Sequence, residues 1–233
     1  MPIRGIAFDL EGTVVNVETA HHYGHLATAA EFGVNLTLEE AYVKLPHFIG
    51  GPDERVCEDI FALLDPAART SIAVGEVLSR DKYYYERLLA TVPIETRPGF
   101  LEAFRIAQAL GLKLAIGSLT PEGQAMTLLE RSGLSELFDK KTIVLREHVR
   151  NEKPAPDVFL RTADVMGIDP RDQIGFEDSP RGVKALRGAG SKAIGMPVVI
   201  RPTTVAALVE AGVCRIFFDW REINMLALIE NLS

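Results

Sequence analysis

Ile6-Ala7-Phe8 is a short apolar run that reads as a buried strand, yet from residue 16 to residue 93 no second strand signal follows it. A buried strand alone leaves its N–H and C=O groups unpaired, which a folded domain does not sustain. It must therefore join a sheet built much later in the chain. Whatever lies between is an insertion.

The intervening block has helical period throughout. Thr19 to Phe32 forms one stretch, ended by Gly33. Thr37-Leu38-Glu39-Glu40 is a capping box that opens a second helix, which stops before Pro46. Pro52 starts a third helix with Val56, Ile60, Phe61 and Leu64 on one face. Pro66 starts a fourth, which runs through Val74, Leu78, Tyr84 and Leu88 toward Pro93.

From residue 96 the pattern alternates. Helices from Pro98-Gly99 to Gly111, Pro121 to Ser132, Pro156 to Gly167 and Ser179-Pro180 to Gly190 separate apolar strands. Those strands are Leu112 to Ile116, Thr142 to Leu145 and Gln173 to Phe176, with weaker ones at Ala193 to Gly195 and Arg215 to Phe218. Such alternation implies right-handed βαβ units. The expected fold is α/β: a Rossmann-like, mostly parallel sheet with helices on both faces and an inserted all-helical cap. Residues 1–15 and 96–233 form the core and residues 16–93 the cap. Linkers at Val14–Val17 and Val92–Arg97 act as hinges.

Composition narrows the partners. A formal net charge of -7 over 233 residues argues against nonspecific binding to nucleic acid or an anionic membrane. No apolar run approaches the ~18 residues of a membrane span. No basic leader with an apolar run and cleavage site precedes the first strand. Cys57 and Cys214 lie far apart in no metal-ligand spacing and are expected to be buried thiols. These features together lead to the expectation of a cytoplasmic protein. His21, His22, His25 and His47 in the helical block show no paired metal spacing of defined geometry and read as core or surface residues.

Four strand ends carry polar groups. The first strand ends in Asp9, followed by Glu11 and Gly12. The strand at Ile116 ends in Gly117-Ser118-Leu119-Thr120, a hydroxyl at a helix entrance, where free N–H groups suit an anion. In Lys153-Pro154-Ala155-Pro156 two prolines keep the backbone extended and set the direction of Lys153. Glu177-Asp178 is an adjacent acidic pair, and a hard divalent cation is the usual reason for such a cluster. Each has an ordinary reading by itself: a turn, an N-cap, a solvated lysine. In open α/β sheets, however, function gathers at the carboxyl ends of strands, and all four fall on that edge.

In this order the motifs, with Arg97-Pro98-Gly99-Phe100, Lys153-Pro154-Ala155-Pro156-Asp157 and Glu177-Asp178-Ser179-Pro180-Arg181-Gly182, resemble the haloacid dehalogenase superfamily over almost the whole chain. They are most similar to its helical-cap branch, which includes β-phosphoglucomutase and phosphoglycolate phosphatase. The resemblance implies a Mg²⁺-dependent phosphatase of a small phosphorylated metabolite, acting through an aspartyl-phosphate on Asp9. Ser118, Leu119 and Lys153 would hold the phosphoryl group. Asp9, Asp178, the backbone carbonyl of Glu11 and, through water, Glu177 would hold the metal. A phosphosugar mutase and a low-activity phosphometabolite binder are the alternatives. A cap lysine of the C–P-cleaving relatives is replaced near its position by Asp53.

One position departs from the family pattern. The acid two residues after the nucleophile is Glu11 rather than the usual Asp. The two titrate alike, at about 4.3 and 3.9 in model compounds, but the extra methylene shifts the carboxyl by ~1 Å, a misplacement worth about a hundredfold in rate. From sequence alone, Glu11→Asp is expected to raise turnover.

Overall fold

The computed structural model describes residues 2–49 and 51–233. In chain order its elements are β1 (Gly5–Phe8), α1 (Glu18–Glu31), α2 (Leu38–Lys44), α3 (Asp53–Leu63), α4 (Val74–Thr91), α5 (Phe100–Ala109), β2 (Lys113–Gly117), α6 (Glu122–Arg131), β3 (Ile143–Val144), α7 (Asp157–Met166), β4 (Gln173–Glu177), α8 (Pro180–Ala189), β5 (Lys192–Gly195), α9 (Pro202–Ala211), β6 (Arg215–Ile216) and α10 (Met225–Leu232). The chain divides into two compact units, one of residues 1–16 with 94–233 and one of residues 17–93.

In the first unit six strands form one sheet in the order β3-β2-β1-β4-β5-β6, every pair parallel. β1 is central because its residues pair on both sides, Phe8 with Ile116 of β2 and with Phe176 of β4. Chain order reverses beside β1, so the crevice at its carboxyl end is the topological switch point of the sheet.

Alternation along β1 sends its side chains to two separate cores. Ala7 packs with Val158, Phe159, Val183, Leu186 and Leu208 of α7, α8 and α9. Phe8 faces the other way, 5.8 Å from Phe176 in a near-parallel stack and 5.4 Å from Phe100 edge-on. Trp220 closes this cluster at 4.7 Å from Phe176, and its indole Nε1 donates to the carbonyl of Thr13 at 3.0 Å. The aromatic core is thereby tied to the loop that leaves β1.

The second unit is helical. Its core gathers Ala29, Ala41, Leu45, Val56, Cys57, Ile60 and Val77 from all four helices. The capping box is present as read, with Thr37 Oγ1 accepting from the N–H of Glu40 and Glu40 Oε2 accepting from the N–H of Thr37. α4 begins at Val74 instead of Pro66, since a separate short turn at Ala68–Thr70 comes first. α9 and α10 are helices that the sequence pattern left unmarked. Cys214 is half-buried, so only Cys57 is the buried thiol expected of both. Among the described residues no helix is long and apolar enough to cross a membrane.

Trp220→Phe keeps most of the apolar contact but leaves the buried Thr13 carbonyl without its donor. It should destabilise the protein by about 1–3 kcal/mol. Urea denaturation at neutral pH measures this, and an unchanged midpoint would show that the bond contributes nothing.

Candidate active site

β1 ends one residue before Asp9, whose N–H continues the ladder to the Phe176 carbonyl at 3.0 Å. Asp9 therefore leaves the sheet at a fixed position, 7% exposed. Lys153 meets it there. Its ammonium donates to Asp9 Oδ1 at 2.6 Å, to Glu177 Oε1 at 2.5 Å and to the Gly117 carbonyl at 3.2 Å. The lysine is as buried as Asp9 and rests 4.9 Å from the ring centroid of Phe159. It is no solvated loop residue.

The second carboxylate of this arrangement is held from behind. Glu177 Oε2 accepts from both the N–H and the hydroxyl of Ser179, at 3.0 and 2.9 Å. The same hydroxyl oxygen accepts from the Gly182 N–H at 3.1 Å and so caps α8. Glu177 is 1% exposed, and both of its oxygens are engaged. Its observed contacts make it a partner of Lys153. Arg181 donates to the Lys153 carbonyl at 2.6 Å and pins the loop that carries the ammonium.

Charge around Lys153 is unbalanced. Burial works against its ammonium, but Asp9 and Glu177 outweigh burial and hold its pKa above the ordinary lysine range. Burial pushes the Asp9 carboxyl up to about 7, with Glu177 and Glu11 adding to the rise and Lys153 opposing it. One cation thus faces more negative charge than it neutralises. One carboxylate oxygen from each of Asp9, Glu177 and Asp178 lies within 4.8 Å of the others. Such an all-oxygen donor set fits a hard divalent cation such as Mg²⁺. The backbone leaves room for these carboxyls at two glycines. Gly12 has φ +77°, and a Cβ on it would strike the carboxyl of Asp178; a Cβ on Gly182 would overlap that of Glu177.

Glu11 is placed by groups that sequence reasoning did not single out for it. Its Oε1 accepts from Thr120 Oγ1 at 2.6 Å and from Gln124 Nε2 at 3.1 Å. Thr120 Oγ1 in turn lies 2.9 Å from the buried Ser118 Oγ. Ser118 and Glu11 are thus joined through one threonine, and Leu119 sits half-buried in the same loop. Neither Ser118 nor Thr120 caps α6, whose N-cap is Pro121 with no side-chain bond. Gln124 occupies the first turn of α6, and no sequence signal marked it. Arg97 was legible as part of a motif but not in its role. Buried, it donates to the carbonyls of Gly12 and Phe218, both at 2.9 Å, and to that of Met196, joining the loops after β1, β5 and β6.

A parallel sheet with acidic groups and one buried lysine at its switch point defines a Rossmann-like α/β enzyme. Residues 3–190 match the family model of haloacid dehalogenase-like hydrolases, and the chain belongs to that family. It is 29% identical to the fructose-1-phosphate phosphatase YqaB of Escherichia coli, over 82% of this chain and 94% of that one. It is 25% identical to a phosphorylated carbohydrates phosphatase of Thermotoga maritima, over 96% and 98% of the two chains. Among solved structures, a haloacid dehalogenase family hydrolase from Deinococcus radiodurans with bound phosphate and sodium superposes with a TM-score of 0.77. The two are 25% identical, over 99% of this chain and 97% of that one. The protein is a phosphoric monoester hydrolase.

Gly182→Ala should drive the Glu177 carboxyl off Lys153. Breaking a buried pair costs about 3–5 kcal/mol. Gly123→Ala is the matched control, because a Cβ there meets nothing within 4 Å; it should be neutral or stabilise α6 by about 0.5–1 kcal/mol. Equal effects of the two substitutions in chemical denaturation would contradict this account of the site.

Proposed function

We propose that the enzyme is a Mg²⁺-dependent phosphatase of small phosphorylated sugars, with Asp9 as nucleophile. The observation that carries the reading is the Asp9–Lys153–Glu177 arrangement at the switch point of the sheet. The relatives named as sugar phosphatases support the substrate class. Asp9, Asp178 and the Glu11 carbonyl would hold the metal, which when bound would neutralise charge on the phosphoryl group.

In this reading the Lys153 bond to one oxygen of Asp9 fixes the rotation of its carboxylate. The Asp9 carboxylate attacks phosphorus, forming the acyl–phosphate bond as the bond to the leaving oxygen breaks. Glu11 gives its proton to that leaving oxygen. Lys153, the Ser118 hydroxyl and the Leu119 backbone meet the phosphoryl oxygens, since this chemistry depends mainly on positioning and charge stabilisation. Water then attacks phosphorus and yields its proton to Glu11, and inorganic phosphate leaves Asp9 free.

The anchoring of Glu11 by Thr120 and Gln124 bears on its length. Two donors on the same unit hold the longer carboxyl, and an aspartate would fall short of them by about one methylene. This leads to the opposite of the expectation drawn from sequence alone. Glu11→Asp should lower kcat at least about tenfold, while Glu11→Gln should abolish turnover. Phosphate release from a sugar-phosphate panel with Mg²⁺ tests the proposal as a whole. Hydrolysis lost in EDTA and in Asp9→Asn is the expected result, whereas no hydrolysis of any panel member, or full activity of Asp9→Asn, would sink the proposal.

A further inference from the structure

The helical unit holds a second concentration of ligating groups, of different chemistry from the strand-end carboxylates. His21 and His25 are one helical turn apart on α1, so their rings share a face. Asp53 opens α3. One ligand atom from each of the three lies within 4.8 Å of the others. Nδ1 of His21 is 3.7 Å from Oδ1 of Asp53. That is close to the ~3.3 Å edge of a tetrahedron with bonds of about 2.0–2.1 Å. The spacing was not recognised in the sequence because its third member comes from another helix.

The surroundings hold both rings in fixed orientations. Tyr85 stacks on His21 with centroids 3.9 Å apart and planes 20° from parallel. His25 Nδ1 lies 2.8 Å from Asp81 Oδ1, and both residues are buried. Thr28 Oγ1 donates to the same Asp81 oxygen at 3.1 Å. A carboxylate only accepts, so Nδ1 of His25 carries a proton and Nε2 is the nitrogen left to bind an ion. A carboxylate behind the far nitrogen of a histidine is the support found behind metal-bound imidazoles. The neighbouring histidines have other partners: His22 Nε2 is 3.0 Å from Glu18, and His47 Nδ1 is 3.1 Å from Asp59.

We infer that His21, His25 and Asp53 form a binding site for a borderline divalent cation of the zinc type, with Asp81 orienting His25 from behind. Two imidazoles and one carboxylate suit Zn²⁺ or Co²⁺, whereas Mg²⁺ prefers oxygen. Three protein ligands leave a fourth position for water or a ligand oxygen. The inference does not rest on the phosphatase reading. His25 is buried, but His21 and Asp53 are half-exposed, so an ion can reach the cluster from solvent.

The test uses the full chain, stripped with chelator and titrated with Co²⁺ in the absence of Mg²⁺. To silence the strand-end carboxylates, the titration is repeated in the Asp9→Asn, Asp178→Asn double variant. The expected result in the double variant is one Co²⁺ per chain with the strong visible absorption of a tetrahedral ion, displaced by one equivalent of Zn²⁺; the unaltered chain should show the same absorption. Asp53→Asn and His21→Gln should abolish that absorption. Asp81→Asn should weaken affinity about 10–100-fold, as loss of the outer partner of a metal-bound histidine does. Thermal melting of the metal-free variants checks folding. If His21→Gln does not fold, Asp53→Asn, at the solvent-accessible start of α3, decides the matter. No Co²⁺ bound by the double variant, or binding unchanged by Asp53→Asn, would overturn the inference.

Discussion

An ammonium buried between two carboxylates is the interaction on which the catalytic unit depends. Lys153 reaches Asp9 and Glu177 at the carboxyl ends of adjacent strands. Without it, two acids would face each other in a site with almost no solvent. A buried pair of this kind contributes little net stability when intact and costs several kcal/mol when broken. The surrounding structure serves to keep it intact. Ser179 engages the far side of Glu177, Arg181 holds the Lys153 backbone, and glycines at 12 and 182 leave space where a Cβ would displace a carboxyl. Arg97 and Trp220 then fasten the loops that surround this cluster to the aromatic core.

The same cluster explains why the site suits a phosphate ester better than a neutral substrate. Lys153 cannot neutralise all the acids around it, and the rise of the Asp9 carboxyl to about 7 reflects burial among like charges. A hard cation held by Asp9 and Asp178 would relieve this and let an anionic group approach the Lys153 ammonium. Glu11 belongs to a separate set, joined to Thr120, Gln124 and through Thr120 to Ser118. Asp9 and Glu11, the proposed nucleophile and proton carrier, are thus positioned by different networks, which lets the length of the second acid vary without disturbing the first.

Much of this was legible in the sequence because strand ends are local. Asp9, Ser118 and Glu177 each follow a short apolar run, Lys153 stands directly before Pro154, and the parallel order of a βαβ chain brings such ends to one edge. What was not legible depends on contacts across the fold. Nothing near Lys153 in sequence shows that its neighbours bury it. Nothing near Gln124 shows that it meets a glutamate from the other end of the unit. The histidine cluster was missed for the same reason, since Asp53 and Asp81 come from helices other than α1. The helix limit placed at Pro66 instead of Val74 arose where a short turn opened by a single proline imitated a helix start.

The claim at the centre of this account is that Asp9 takes the phosphoryl group. Borohydride reduces an acyl phosphate to an alcohol, so quenching a turning-over reaction with it converts a phosphorylated aspartate to homoserine. With a sugar phosphate and Mg²⁺ present, peptide mass spectrometry should find homoserine at residue 9 and nowhere else. Turnover with no reduction at residue 9, or with reduction at another carboxylate, would contradict the account.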